Sequence, residues 1–283
     1  MQLIEYRNHF YKELNTVYSL TEIQSFLKRL VKYYFDWDPT FIAIHPNYAL
    51  SQSETAQLDF VLLELKKNKP IQYILNETFF MGHSFYVDES VLIPRPETEE
   101  LVSWMLSDFP LSKDKLNVLD IGTGSGCIPI VLAIENLNLN ITAIDVSHLA
   151  LEVAKKNAKI HDADVNFIQK DLTTLSNWEQ SLDVIVSNPP YIKPEEKKEM
   201  LLNVLNYEPH LALFTPEDDS LFFYKKIIAF AEINLKTMGV IYFEINPKYI
   251  GALKKMISSY SFKDIVVGND IFGKKRMLKA IKK

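Results

Sequence analysis

The stretch VLDIGTGSG, residues 118–126, places three glycines directly after an apolar run. The apolar run predicts a buried β-strand, and the segment after Gly126 predicts a helix. Glycine permits a tight turn and lets a ligand approach the backbone closely, while the N-terminus of the helix offers free N–H groups to an anion. Because open α/β sheets bind ligands at the carboxyl ends of their strands, this stretch predicts a ligand site at the end of the first strand.

The chain from residue 116 onward alternates between strand-like and helix-like segments. Seven strands are predicted, at NVLDI, ITAIDV, VNFIQ, DVIVS, VIYFEI, KDIVVG and RMLKAI. Ser147 and Ser220 are expected to cap the helices HLALEVAKKNAKI and LFFYKKIIAFAEINLK. Such alternation is typical of a mostly parallel sheet covered on both faces, and the short link GNDIFGKK predicts that the last two strands pair antiparallel.

The first part of the chain has a different pattern. Residues 1–75 predict a small helical domain, in which Thr21 caps a helix and Gln24 completes a capping box. Residues 76–93 predict a connector, with two aromatic, β-prone runs on either side of a hairpin turn at Gly82-His83-Ser84. Residues 94–283 then form the α/β domain, whose first helix starts at Pro96.

An acidic residue after the second strand indicates which ligand the glycines bind. Asp145 ends ITAIDV, about twenty residues after the loop, where a carboxylate accepts hydrogen bonds from ribose hydroxyls. The spacing G-x-G-x-G differs from the dinucleotide pattern G-x-G-x-x-G and favours S-adenosylmethionine. The predicted donor loop comprises Gly122, Thr123, Gly124, Ser125 and Gly126. Asp171, after the third strand, is either a turn aspartate or an adenine-binding residue, and Leu172 beside it offers an apolar wall.

The fourth strand ends in SNPPYI, residues 187–192. A carboxamide nitrogen is a poor nucleophile, so it must be held with its lone pair aimed at the methyl donor. The side-chain oxygen of Asn188 accepts one N–H, and the prolines leave the carbonyl of Pro189 free to accept the other. Tyr191, after Pro190, offers a ring that packs against a planar target. The alternative is a proline-rich strand end without function.

The amino-acid composition argues against a membrane protein, a metal site and a stable nucleic-acid complex. Hydrophobic residues make up 47% and charged residues 24%, and no apolar run approaches the roughly 18 residues that span a bilayer. The N-terminus lacks the layout of a signal peptide, so we expect a cytoplasmic protein without membrane contact. A single cysteine, Cys127, and scattered histidines predict no metal site. The net charge of −5 argues against a stable nucleic-acid complex, and nothing requires more than a monomer.

Four motifs together resemble the protein-(glutamine-N5) methyltransferases of the HemK/PrmC family. They are VLIPRPETEELV, VLDIGTGSG, SNPPYI and YEPHLALF, and the resemblance is strong from about residue 71. It implies a class I (Rossmann-like) methyltransferase domain with a seven-stranded, mostly parallel sheet and an antiparallel last strand. A helical docking domain and a β-hairpin would precede it. The donor positions map to Gly122 through Gly126, Asp145, Asp171 and Leu172, with Asn188 beside them, and the glutamine-binding motif maps to Asn188 through Tyr191.

By this resemblance the reaction is methylation of the glutamine in the Gly-Gly-Gln loop of peptide-chain release factors, with S-adenosylhomocysteine as the second product. Alternatives are a ribosomal-protein glutamine and a nucleic-acid base, because DNA adenine and RNA guanine N-methyltransferases share the Asn-Pro-Pro-Tyr motif. A non-catalytic donor-binding module is a further alternative that the intact motif disfavours. Arg95 and Glu97, in IPRPETE, are either site residues or helix-start residues.

The chain departs from the family pattern at a few positions. Asn76, Ser220 and Asn246 stand where glycines are common, and Leu172 stands where an aromatic residue is often found. These departures concern the hairpin entry and the donor pocket, whereas the Asn188 motif is intact.

Overall fold

The computed structural model of the protein describes residues 1–109, 115–216 and 219–283. The described chain forms two compact units. The first comprises Met1–Asn76 together with Leu201–Tyr207, and the second comprises Glu77–Met200 together with Glu208–Lys283. Each unit has its own buried apolar core.

The first unit is helical. Its helices are α1 (Leu3–Leu14), α2 (Leu20–Phe35), α3 (Phe41–Ile44), α4 (Gln52–Lys66), α5 (Ile71–Leu75) and, later in the chain, α9 (Leu202–Tyr207). Tyr6, Leu27 and Leu58 are among the fully buried residues of its core. These side chains lie on α1, α2 and α4, so the core joins the three longest helices of the unit.

The capping prediction for α2 is wrong by two residues. Ser19 is the N-cap: its Oγ accepts a hydrogen bond from the backbone N–H of Glu22. The Glu22 carboxylate in turn accepts from the backbone N–H of Ser19, at 3.0 Å. Thr21 and Gln24 have the same spacing, but a carboxylate is a stronger acceptor than an amide, and here the Ser-Glu pair forms the capping box.

The second unit begins with a β-hairpin formed by β1 (Thr78–Phe80) and β2 (His83–Phe85). The hairpin is present as predicted, but its turn is formed by Met81 and Gly82, and His83 already belongs to β2. Both turn residues have positive φ, 51° and 80°, as a two-residue turn that matches the strand twist requires. The predicted position of the turn was therefore slightly too late in the chain.

Seven strands of the described residues form one sheet, in the order β5-β4-β3-β6-β7-β9-β8. They are β3 (Leu116–Ile121), β4 (Leu139–Asp145), β5 (Val165–Gln169), β6 (Leu182–Ser187), β7 (Leu235–Glu244), β8 (Phe262–Asn269) and β9 (Lys275–Lys282). The pairs from β5 through β7 are parallel, and β9 is antiparallel to both of its neighbours. The predicted seven-stranded, mostly parallel sheet with an antiparallel last strand is confirmed.

Helices cover both faces of this sheet. They are α6 (Pro96–Asp108), α7 (Cys127–Glu135), α8 (His148–Ile160), α10 (His210–Leu213), α11 (Phe222–Asn234) and α12 (Ile250–Ser258), with short 3₁₀ turns at Pro194–Glu199 and Pro247–Tyr249. One core joins α6, α7, α8 and the hairpin to the sheet, and the other joins α11 and α12 to it. Among the described residues, no helix has both the length and the apolar character needed to cross a bilayer.

Two predicted caps have different outcomes. Ser147 caps α8 as predicted, and its Oγ accepts from the N–H of Ala150 at 3.2 Å. Ser220 does not cap α11: the carboxylate of Asp219 accepts the N–H of Leu221, which is the N-cap residue. The helix also ends earlier than predicted, because β7 begins directly at Leu235, which pairs with Leu182 of β6.

The strand order determines where the site can form. β3 lies between β4 and β6, and the three strands run parallel, so their carboxyl ends meet at one edge of the sheet. Ile121 pairs with Ile144, and Asp120 pairs with Val186. The glycine loop, Asp145 and Asn188 follow these strand ends directly, so the sheet brings together residues that are distant in sequence.

Candidate active site

The glycine loop after β3 needs its glycines for two reasons. Gly122, Gly124 and Gly126 have positive φ values of 77°, 54° and 80°, which L-residues rarely adopt. A Cβ on Gly122 or Gly124 would meet no described atom within 4 Å, so only the backbone conformation requires glycine there. A Cβ on Gly126 would lie 2.9 Å from Ile130 Cδ1 and 3.1 Å from Ala154 Cβ, so this glycine also allows α7 and α8 to pack closely.

An open cleft lies at this edge of the sheet. It measures about 1160 Å³, including its solvent-filled mouth. Ten of the predicted site residues line it: Gly122, Thr123, Gly124, Ser125, Asp145, Asp171, Leu172, Asn188, Pro189 and Pro190. Gly126 and Tyr191 lie behind this lining. Much of the remaining wall is apolar and includes Val91, Ile121, Ile144, Val146 and Ile227.

Asp145 ends β4 and holds the loop. Its Oδ2 accepts the N–H of Gly124 and its Oδ1 accepts the N–H of Ser147, each at 2.9 Å. Burial raises the pKa of Asp145, and these backbone hydrogen bonds oppose the rise. A carboxylate has about four acceptor positions, so each oxygen can still accept a hydroxyl of a bound ligand.

Asp171 forms a turn and also lies at the cleft, and its adenine-binding role stays a prediction. Its Oδ1 accepts the backbone N–H and the hydroxyl of Thr173, both at 2.7 Å, so it forms a turn. The same residue lines the cleft, and Leu172 beside it is half-buried against the core around α11. Leu172 therefore presents an apolar surface to the cleft in the position where the sequence predicts an adenine wall.

Asn188 follows the last residue of β6. Ser187 anchors this strand end, because its buried hydroxyl donates to the carbonyl of Ile121 at 2.6 Å. The Nδ2 of Asn188 donates to Thr98 Oγ1 at 3.3 Å, and no described residue donates to Asn188 Oδ1 or to the carbonyl of Pro189. Two acceptors at the cleft thus remain available to a ligand.

Tyr191 is not among the residues that line the cleft, and its predicted packing against a planar target stays a prediction. Its ring packs against the core around α11, and its hydroxyl donates to Glu244 Oε1 at 3.4 Å. Burial and the neighbouring Glu244 carboxylate raise its pKa. In this structure the Tyr191 side chain therefore contacts the core and Glu244.

Known protein families and relatives match the sequence of this chain over most of its length. The Methyltransferase small domain family matches residues 100–209, and the PrmC N-terminal domain family matches residues 6–75. A release factor glutamine methyltransferase from Flavobacterium psychrophilum is 45% identical over 282 residues, covering 99% of each chain. The chain belongs to the release factor glutamine methyltransferase family. A further member, from Bacteroides thetaiotaomicron, is 44% identical over 232 residues and covers 82% of each chain.

Solved structures agree with this family on the fold. A methyltransferase from Pyrococcus furiosus superimposes with a TM-score of 0.52 at 17% identity, over 81% of this chain and 98% of that chain. A 16S rRNA guanosine N2-methyltransferase from T. thermophilus, solved with AdoMet and guanosine, gives a TM-score of 0.53 at 17% identity, over 73% and 50% of the two chains. The class I methyltransferase fold and the assignment as an enzyme are confirmed.

The departures from the family pattern fit the backbone. Asn76 ends α5 with a φ of 52°, a left-handed conformation that asparagine tolerates next best after glycine. Asn246 has a φ of −78°, which needs no glycine, and its Oδ1 caps the following turn by accepting the N–H of Lys248. Ser220 is buried. The backbone angles at Asn76 and Asn246 are therefore compatible with asparagine.

A buried polar pair behind Asn188 was not predicted. Thr98, from the IPRPETE motif, donates its hydroxyl to Glu244 Oε2 at 2.5 Å. Glu244 is the last residue of β7 and is 3% exposed, and burial raises its pKa to about 7. The sequence contains a weak signal for it, since an acid that ends an otherwise apolar strand lies at the ligand-binding edge of such a sheet.

Arg95 and Glu208 form an ion pair at the cleft. Arg95 Nη2 lies 2.6 Å and 2.7 Å from the two carboxylate oxygens of Glu208. Burial raises the pKa of Glu208, and the Arg95 guanidinium opposes that rise. The pair connects the family motifs IPRPETE and YEPHLALF, and Arg95 lines the cleft. Glu97 lies 3.8 Å from Arg276, so both residues from IPRPETE have ionic partners.

Two further buried groups support the loop. The amide of Asn157 on α8 bonds the backbone N–H and carbonyl of Tyr86 and donates to the carbonyl of Ser125, at 2.7 to 2.9 Å. Asp120 is fully buried below the loop, and neither of its carboxylate oxygens has a hydrogen bond within the described residues. Burial raises the pKa of Asp120 to about 7, although the nearby Thr123 hydroxyl opposes the rise. Within the described ranges, no group of three or more His, Cys, Asp or Glu is placed to hold a metal ion.

Proposed function

We propose that this protein transfers a methyl group from S-adenosylmethionine to the side-chain amide nitrogen (N5) of the glutamine in the Gly-Gly-Gln motif of peptide-chain release factors. One observation carries the proposal most directly. Asn188 lines the same cleft as the glycine loop and Asp145, and its Oδ1 accepts no hydrogen bond from a described residue. An amide oxygen that is free to accept an N–H, next to a pocket suited to a nucleoside, fits a reaction on the N–H groups of an amide.

The donor side of the cleft fits S-adenosylmethionine. Gly122 and Gly124 have no side chain, so a ligand can lie directly against their backbone. Asp145 retains acceptor capacity for ribose hydroxyls, and Val146, Leu172 and Ile227 offer apolar surface for an adenine ring. When bound, S-adenosylmethionine supplies an electrophilic sulfonium methyl group and leaves as S-adenosylhomocysteine.

The target side orients the amide. Asn188 Oδ1 accepts one N–H of the glutamine amide and the Pro189 carbonyl accepts the other, so the nitrogen lone pair points away from both. With the donor bound, this nitrogen would form a bond to the methyl carbon as the carbon–sulfur bond breaks. Both acceptors stabilise the positive charge that develops on nitrogen. The methylated nitrogen is far more acidic than the amide and loses one proton to water, so no general base is required.

The choice of a release factor rests on family membership. The relatives that share 44–45% identity with this chain are named release factor glutamine methyltransferases. The matching PrmC N-terminal domain family covers residues 6–75, and we assign to this helical unit the docking of the factor. A ribosomal-protein glutamine is the closest chemical alternative, because it would present the same amide to Asn188.

Mass spectrometry tests the proposal. A release factor is incubated with the full-length protein and S-adenosylmethionine, and its tryptic peptides are compared with those of a factor that carries Gly-Gly-Ala. We expect one added methyl group, about 14 Da, on the Gly-Gly-Gln peptide and none on the control. Duplex DNA and ribosomal proteins are incubated in parallel. An unmodified factor together with a methylated parallel substrate would contradict the proposal and assign that substrate instead.

A further inference from the structure

A chain of hydrogen bonds connects Asn188 to a buried carboxylate on β7. Asn188 Nδ2 lies 3.3 Å from Thr98 Oγ1, which in turn lies 2.5 Å from Glu244 Oε2. The Tyr191 hydroxyl is 3.4 Å from the other oxygen, Glu244 Oε1. Thr98 and Glu244 are each only 3% exposed, so bulk water does not compete for their hydrogen bonds. The chemistry of the groups therefore determines the direction of each bond.

The ionised form of Glu244 fixes these directions. A carboxylate can only accept, so the single hydroxyl proton of Thr98 is donated to it. Thr98 Oγ1 then has only lone pairs left, and the group that faces it must be a donor. Asn188 therefore turns its amide nitrogen toward Thr98 and its oxygen away. The reverse orientation would place two acceptors against each other inside a buried site, which is unfavourable.

We infer that Thr98 and Glu244 are positioning residues that hold the Asn188 amide with Oδ1 available to accept the N–H of the target amide. The inference rests on the proposed function. With the amide reversed, the NH₂ of Asn188 would face the NH₂ of the target, and neither could accept. Thr98 and Glu244 take no part in bond making; they act through the orientation of Asn188.

The surroundings of Glu244 link this orientation to pH. Burial raises its pKa to about 7, and the hydrogen bond from Thr98 opposes the rise. Tyr224 on α11 donates to the main-chain oxygen of Glu244 at 2.8 Å. The other titratable or charged groups that face Glu244 are Glu97 on α6, Arg95 at the start of α6, Arg276 on β9, Tyr191 after β6 and Cys127 on α7.

Protonation of Glu244 allows the direction of these hydrogen bonds to reverse. A protonated Glu244 can donate to Thr98 Oγ1, which frees the Thr98 proton to donate to Asn188 Oδ1. The competing amide orientation then becomes available. We therefore expect kcat to fall as the pH drops through about 7, with the dependence of a single group.

The experiment measures kcat at saturating donor and release factor across about pH 6 to 9. T98V removes the hydroxyl but keeps the shape, and T98S keeps the hydroxyl. T78V is the matched control, because Thr78 is also buried but lies in β1 and does not line the cleft. E244Q removes the titrating group, and D120N tests the other buried carboxyl with a pKa near 7. Donor affinity by calorimetry and the melting temperature are measured for each variant.

We expect T98V to lower kcat about tenfold, the effect of one directed hydrogen bond, with unchanged donor affinity. The kcat of T98S should remain much closer to the wild-type value, and the kcat of T78V should equal the wild-type value. The acid limb of the pH profile should disappear in E244Q and remain in D120N.

The outcomes separate the two proposals. No methylated glutamine with the wild-type protein overturns the proposed function and the inference with it. An active wild type together with a folded T98V of equal kcat overturns the inference alone. If T98V does not fold, the wild-type pH profile decides, because a kcat that is flat between about pH 6 and 8 contradicts the role of Glu244.

Discussion

At the scale of single residues, two carboxyl groups beside the cleft differ in how their oxygens are satisfied. Both oxygens of Asp145 accept backbone N–H groups, whereas those of the fully buried Asp120 have no hydrogen bond within the described residues. Asp145 thus holds the loop in shape and still has acceptor capacity. Asp120 lies under the same loop, and its ionised form lowers the stability of the folded protein.

Asn188 and Asp145 should separate catalysis from donor binding. We expect N188A to lower kcat at least about a thousandfold while the Kd for S-adenosylmethionine changes less than about threefold, because the lost group orients the target. D145A should instead weaken donor binding at least about tenfold, through the lost acceptors. Calorimetry with the donor and single-turnover kinetics measure the two effects. Loss of donor binding in N188A would contradict this division of roles.

Asp120 should make stability fall as the pH rises. Its pKa is raised to about 7, so between pH 4 and 7 the folded state binds more protons than the unfolded chain, and the group is progressively destabilising across this window. D120N should therefore raise the melting temperature relative to the wild type at pH 8, and this gain should shrink at pH 5.

Asp183 provides the opposite control for this effect. It accepts hydrogen bonds from the N–H of Asn117 and from Lys236 Nζ, so D183N should lower the melting temperature at pH 8. A D120N variant that is less stable than the wild type at pH 8 would show that the carboxylate is stabilised by an interaction outside the described contacts.

At the scale of secondary-structure elements, the glycine loop is shaped by the packing of α7 against α8. Gly126 is the N-cap of α7, and a side chain there would contact Ile130 and Ala154. Asn157 on α8 donates to the carbonyl of Ser125 and so ties the same loop to the helix and to the hairpin residue Tyr86. The loop is therefore held by contacts with both helices.

Gly126→Ala should destabilise the protein by more than the backbone conformation alone explains. The left-handed φ costs about 1–2 kcal/mol for alanine, and the close contacts add about 1–3 kcal/mol. Gly273→Ala is the matched control, since Gly273 has a φ of 77° but no atom within 4 Å of its ideal Cβ. Denaturant unfolding of both variants measures the difference. Equal losses of stability would exclude the proposed packing role.

At the scale of the whole molecule, the chain combines a helical unit and a methyltransferase unit, each with a core of its own. The proposed cleft lies entirely within the second unit. The role of the first unit in docking the release factor stays a prediction. If it is correct, binding energy from a surface remote from the glutamine contributes to catalysis.

This division predicts that the whole release factor is a far better substrate than its isolated peptide. We expect kcat/KM for a Gly-Gly-Gln peptide to be at least about a hundredfold lower than for the factor, because the peptide lacks the docking contacts. Initial rates with both substrates measure the ratio. Equal efficiencies would contradict a docking role for the helical unit.

Much of the fold follows from local patterns. Strand and helix periodicity predicted the seven strands, and the order of glycines and acids predicted which loops lie at the functional edge. The errors were local as well: Thr21 has the composition of a cap but Ser19 caps α2, and α11 has no side-chain cap although Ser220 lies just before it. Such competition between neighbouring residues is decided by backbone geometry that spacing alone does not specify.

Local sequence patterns predicted the class of fold, the glycine loop, Asp145 and the Asn188 motif, because turn chemistry and periodicity are encoded over a few residues. The long-range packing, by contrast, brings Thr98 against Glu244, 146 positions away and next to Asn188, and pairs Arg95 with Glu208, 113 positions away. It also decided that Asp120 is buried without a hydrogen bond. The Thr98–Glu244 contact arises because α6 packs against β7. Packing between segments that are distant in sequence determines which carboxyl groups are buried, and burial in turn shifts their pKa.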